Sequence, residues 1–168
     1  AHKEIENVLQ RMREIAVQAG NDTNNTQDRK NLQAEMDAMV TEVDRISQAT
    51  TWAGSSLLNG DAAGAVDTNA TFSLQVGSAT GTQNQISVSI GSMTAETLNL
   101  TDTDNDSLVL VIADTDITPA DHTVNGGTTT ATGNALEAIT LIDAAIKTAN
   151  AQRSELGAVS NRLNHTVN

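Results

Sequence analysis

The chain has 168 residues, with 21 acids against 9 bases for a formal net charge of −12, and it contains no Cys, no Tyr, one Phe and one Trp. Without Cys there is no disulfide framework, thiolate metal site or cysteine nucleophile. The acid excess speaks against nucleic-acid or anionic-membrane partners, which need clustered Lys and Arg, and the longest unbroken apolar run, the six residues Leu108 to Ala113, is far short of the ~20 needed to span a membrane. By length the chain is one domain or two small ones. Of its apolar residues 23 are Ala, which fits thin helical packing better than an aromatic-anchored globule.

The charge divides the chain in three. Residues 1–50 carry 9 acids and 6 bases, residues 51–133 carry 9 acids and no base, and residues 134–168 carry 3 of each. Mixed-charge ends therefore enclose an acidic middle.

The first predicted element is a helix over residues 1–19. Ile5, Val8, Met12, Ile15 and Ala19 recur at alternating steps of 3 and 4, with Leu9 and Ala16 widening the stripe, which is the seam spacing of packed long helices. The turn formers from Gly20 to Thr26 break it. Asn25 or Thr26 caps a second helix with Asp28 in its first turn, and Leu32, Met36, Met39, Val43 and Ile46 form its stripe. So short a link predicts antiparallel packing of the two helices.

Thr71–Gly77 and Ile86–Ile90 alternate apolar and polar residues, and the Gly- and Asn-bearing link between them predicts a β-hairpin. Leu108–Ile112 reads as a buried strand. The Thr-, Asn-, Gly- and Asp-rich stretches around these, such as Gly126–Thr130, read as surface loops. A third helix is predicted from near Asn134 to the end of the chain. Its stripe is Leu136, Ile139, Ile142, Ile146, Ala149, Leu156, Val159 and Leu163. A periodic segment of this length points to a coiled coil or long bundle helix. The fold class is therefore mainly α with β (α+β), a rod-like bundle of three long antiparallel helices plus a β-hairpin segment. Ala1 enters mid-pattern and Asn168 leaves in one, so the chain reads as the middle of a longer protein, and a missing signal sequence says nothing about export.

Chemistry is sparse. Asp102-Thr103-Asp104-Asn105-Asp106 has the alternating acids of a calcium loop, but Ser107 and Ala113 stand where an EF-hand needs Gly and Glu. The stretch reads as a solvated acidic loop, with no metal. His2, His122 and His165 lie far apart and form no H-E-x-x-H pair, and no G-x-S-x-G elbow is present. The residues point to no enzyme and no cofactor.

Leu9-Gln10-Arg11-Met12-Arg13-Glu14-Ile15-Ala16-Val17-Gln18-Ala19 closely resembles the L-Q-R-x-R-E-L-A-V-Q-A segment of bacterial flagellins. Asn31–Met36, Asp44–Ser47 and Leu57–Gly60 follow in family order. Phe72–Gly77 resembles the F-x-L-Q-V-G strand, and Arg153–Asn164 resembles R-S-D-L-G-A-V-Q-N-R-F. Trp52-Ala53-Gly54 departs from the family's aromatic-Asn-Gly, which bears on the local turn only.

The resemblance implies a secreted structural protein of the bacterial flagellum that serves motility by polymerising with other flagellin subunits. It implies a discontinuous helical core domain from residues 1–60 with 134–168, and a β-hairpin and short variable region at 61–133. It implies that terminal polymerisation segments are missing at both ends, so that this chain alone stays monomeric. It also implies recognition by the vertebrate Toll-like flagellin receptor. Arg11, Ile15 and Glu35 map to the family's key receptor positions, and Gln10, Arg13, Glu14, Gln18 and Arg153 to supporting ones. Arg11 and Ile15 are four apart, hence on one side of a helix. Ile15 equally fits the packing stripe, so a core role stands beside the interface role. Two alternatives share the rod: the hook–filament junction protein, and a flagellin-like rod carrying a small ligand- or metal-binding insert.

Overall fold

The structure, a computed structural model, describes residues 1–21, 23–52, 54–60, 69–78, 81–101 and 131–167. Helices α1 (His2–Ala19), α2 (Thr26–Ala49) and α3 (Ala131–Val167) are joined by strand pairs β1 (Thr51–Trp52) with β2 (Ser55–Ser56) and β3 (Ala70–Gln75) with β4 (Gln85–Ile90). The α+β class with three long helices is what the periodicity predicts. The expected strand at Leu108–Ile112, the acidic loop Asp102–Asp106 and the loop Gly126–Thr130 lie outside the described residues.

Helix α1 buries Ile5, Leu9, Met12, Ile15, Ala16 and Ala19. Leu9 and Ala16, read from the sequence as flanks, are fully buried, while Val8 is half-buried. The last turn of α1 leaves carbonyls without helical partners. The chain beyond it supplies donors: Asn24 Nδ2 donates to the Gln18 carbonyl at 2.6 Å, and Arg29 Nη1 reaches back from α2 to the Ala19 carbonyl at 3.2 Å. A cation at a helix C-terminus is also favoured by the helix dipole.

Asn25 caps α2. Its side chain accepts from the Asp28 N–H at 2.8 Å, and Asp28 Oδ2 accepts from the Asn25 N–H at 3.2 Å. This reciprocal box satisfies two otherwise orphaned donors. The buried face of α2 is Leu32, Met36, Val40 and Val43, continued by Ser47, whose hydroxyl donates to the Asp44 carbonyl at 2.8 Å. Val40 thus takes the central place expected for Met39, and Met39 and Ile46 pack at the edge.

After α2, Gly54 at φ +83° turns the chain from β1 into β2, a backbone conformation that glycine adopts without steric cost. Trp52 meets Phe72 edge-on, with ring centroids 6.0 Å apart. In the second hairpin Ala70 faces Ile90, Phe72 faces Val88 and Leu74 faces Ile86. Alternation puts these six on the core side and Thr71, Ser73 and Ser87 on the other. The hairpin is the one predicted.

Residues 91–100 were not assigned to the core by their pattern, yet Met93, Ala95, Leu98 and Leu100 are buried there. The segment is held by polar bonds from three directions. The Gly91 N–H donates to Gln152 Oε1 of α3 at 3.1 Å, the Met93 N–H to the Leu58 carbonyl at 2.7 Å, and the Ala95 N–H to Asp44 Oδ1 of α2 at 2.7 Å. This stretch and the hairpin join the same apolar cluster as the helices, so the described part of 61–133 packs as one body with 1–60 and α3.

Helix α3 has 37 residues, roughly 55 Å at the standard rise. It starts at Ala131, one turn earlier than expected. Its buried line is Ala135, Ala138, Ile142, Ala145 and Ala149. Leu136, expected in the stripe, is corrected: it is 61% exposed. One residue on from Ala135, it is turned about 100° around the helix, and the face that meets α1 runs through the alanines instead. A Cβ on Gly20 would sit 3.5 Å from the Ala135 Cβ, so the end of α1 and the start of α3 touch through small residues. Arg13 of α1 meets Asp143, and Glu6 meets Arg153. The numbers fall on one helix as they rise on the other, so α1 and α3 are antiparallel. Arg11 meets Glu35 and a short link joins α1 to α2, so α2 also opposes α1.

Replacing Asn25 by Ala should lower stability by about 1 kcal/mol, the usual worth of an N-cap, whereas Asn25→Ser should restore most of it. Urea unfolding followed by helical circular dichroism measures both.

Candidate partner-binding surface

Because α1 lies against both α2 and α3, an arc of about half its circumference reaches solvent. Gln10, Arg11, Arg13, Glu14, Val17 and Gln18 occupy that arc. Glu35 of α2 and Arg153 of α3 flank it on opposite sides. The structure therefore gathers seven of the eight sequence-predicted positions around the outer face of α1.

Ile15 is the exception and a correction to the surface role. It is 1% exposed and belongs to the core cluster. Four residues turn a helix by about 40° past a full revolution. From Arg11 at the α2 edge of the arc, that rotation carries residue 15 inward. Same-side spacing does not keep two residues on one surface when one of them stands at the surface's border.

Arg11 is held by two carboxylates. Nη1 donates to Glu14 Oε2 at 2.9 Å on its own helix, and Nη2 donates to Glu35 Oε1 at 3.0 Å on α2. These bonds, first Glu14 and then Glu35, raise the guanidinium pKa further above its ordinary value. Arg13 Nε donates to Asp143 Oδ1 of α3 at 2.6 Å, with the same upward effect. Arg153 of α3 pairs with Glu6 and also donates to Asn150 Oδ1 at 3.5 Å. Among the described residues, Arg11–Glu35 thus crosses from α1 toward α2, and Arg13–Asp143 and Glu6–Arg153 cross toward α3. Glu6 and Asp143 were not singled out from the sequence. No local motif marks them, because each lies more than a hundred residues from its partner.

On α2, Arg45 is held by both oxygens of Glu42, each at 2.6 Å, which lowers the Glu42 pKa and raises that of Arg45. Exposed pairs of this kind are screened by salt and add little to stability. Their effect is to fix where the charged groups stand. Among the described residues no group of three or more His, Asp or Glu is placed to hold a metal, and no helix is long and apolar enough to cross a membrane.

His2 lies beside this ion-pair row. Its Nε2 is buried with no hydrogen-bond partner among the described residues. Burial first, then the chain's amino group and Arg153, push its pKa down.

Taken together, the fold is that of an elongated helical core module braced by a β-hairpin, with its organised polar groups on helix exteriors. Residues 1–63 match the bacterial flagellin N-terminal helical region. The chain is 37% identical to a flagellin of Halalkalibacterium halodurans over 98% of its own length and 49% of that protein. It is 39% identical to a Bacillus subtilis flagellin over 96% of its length and 53% of that protein. Its fold superposes on the crystal structure of Bacillus cereus flagellin with a TM-score of 0.67 and 26% identity, covering 99% of this chain and 77% of that one. The chain belongs to the bacterial flagellins, a family of structural proteins. It spans about half the length of the curated relatives it matches.

Two outcomes follow for stability. Ile15→Ala should cost about 2–5 kcal/mol, as for other buried large-to-Ala changes, while Arg11→Ala should leave the thermal midpoint nearly unchanged; an exposed Ile15 would leave both midpoints nearly unchanged. The pH dependence has a definite sign. The unfolded chain takes up a proton at His2 near the ordinary 6.5, whereas the folded chain does so only at lower pH, so the unfolded state binds more protons in that window. Stability should fall as pH drops below about 6.5 and level off below the folded-state value. His2→Asn should remove that part of the slope in melts taken across the range.

Proposed function

We propose that this chain forms the rod-like core of a filament subunit of the bacterial flagellum, exported from the cell and serving motility through assembly with other copies. The observation that carries this is a flagellin-family sequence on three long helices, on which, among the described residues, the large apolar groups other than Val17 and Leu136 are buried or half-buried. Rods of this kind pack side by side through heterologous contacts that do not close, and such contacts propagate into helical filaments. The core we assign is discontinuous, 1–60 with 134–168, and the hairpin and variable region of 61–133 decorate it. Its charge supports an outward place for that middle segment, since nine acids without a base aid solubility and repel close packing.

The test is to express the full-length gene in a bacterium lacking its own flagellin and to look for filaments by electron microscopy. Filaments and restored swimming are expected. Export of the protein without filaments would overturn the assignment. In parallel, the 168-residue chain alone should sediment as a monomer, because among the described residues the exposed side of α1 is mainly charged and polar, with Val17 its one large apolar group.

A second reading concerns a host partner. The exposed row Gln10, Arg11, Arg13, Glu14 and Gln18, with Glu35 and Arg153 beside it, supports recognition by the vertebrate Toll-like flagellin receptor. An Arg with its planar guanidinium fixed by two carboxylates is pre-ordered for an interface, and Arg is frequent among interface hot spots. In a reporter-cell assay the chain should activate the receptor, and Arg11→Ala should weaken it at least tenfold with folding intact. Equal signals from the two proteins would remove Arg11 from that role.

A further inference from the structure

We draw no further inference here: the strongest candidate, the exposed apolar side chains of Val17 near the end of α1 and Leu136 near the start of α3, carries nothing because nothing in the structure shows what covers them.

Discussion

The burial of one face of α1 governs the rest of the molecule. Ile5, Leu9, Met12, Ile15, Ala16 and Ala19 all lie at or near zero exposure, and they meet α2 along one side and α3 along the other. Each large side chain in that line gains roughly 1.5–3 kcal/mol from leaving water. Neither neighbour substitutes for α1, since its removal would strand the buried faces of both. The hairpin and residues 91–100 then close the remaining side, tied to α2 through Asp44 and to α3 through Gln152. An amphipathic helix 18 residues long is marginal by itself in water, so α1 owes its stability to this sandwiching.

How far the fold could be read beforehand depended on whether its information was local. Helical periodicity exposed all three helices, because a 3–4 repeat needs only neighbours in sequence to be seen. The hairpin was visible for the same reason at period 2. What failed were choices between adjacent candidates. Met39 or Val40, and Leu136 or Ala135, differ by one helical step, and hydrophobicity alone favours the larger residue in each case where size is unequal. The structure favours Ala135 because α1 approaches closely there. Small side chains are the means by which two helices come near, and they leave almost no trace in a hydropathy pattern. Residues 91–100 were missed because their burial is neither helical nor alternating. They are held by backbone donors to Asp44, Gln152 and the Leu58 carbonyl, partners that only the folded chain brings within reach.

The candidate surface divides along the same line. Exposed positions such as Arg11, Glu14 and Gln18 were found by resemblance and lie on the open arc of α1. The cross-helix partners Glu6 and Asp143 were not, because Glu6–Arg153 and Arg13–Asp143 join the two ends of the chain. These pairs give the mixed-charge ends a physical meaning. Six bases among the first 50 residues and three among the last 35 include the ones that tie α1 to its neighbours, while the base-free middle has no cation of its own with which to pair.

Ile15 shows why surface and core have to be separated before an interface is argued from substitutions. It sits one turn from Arg11, and a change at either could weaken a partner's grip. At Arg11 the loss would be local, since its side chain is half exposed and its two carboxylate partners would remain hydrated. At Ile15 the loss would pass through the bundle: a cavity in the core cluster loosens α1 between its neighbours, and the groups on its outer arc lose their fixed positions. Equal losses of binding would then have unequal causes, and stability measured on the same variants separates them. For a rod whose outer groups are positioned by a thin, alanine-rich interior, that separation decides whether a residue touches a partner or only holds in place the ones that do.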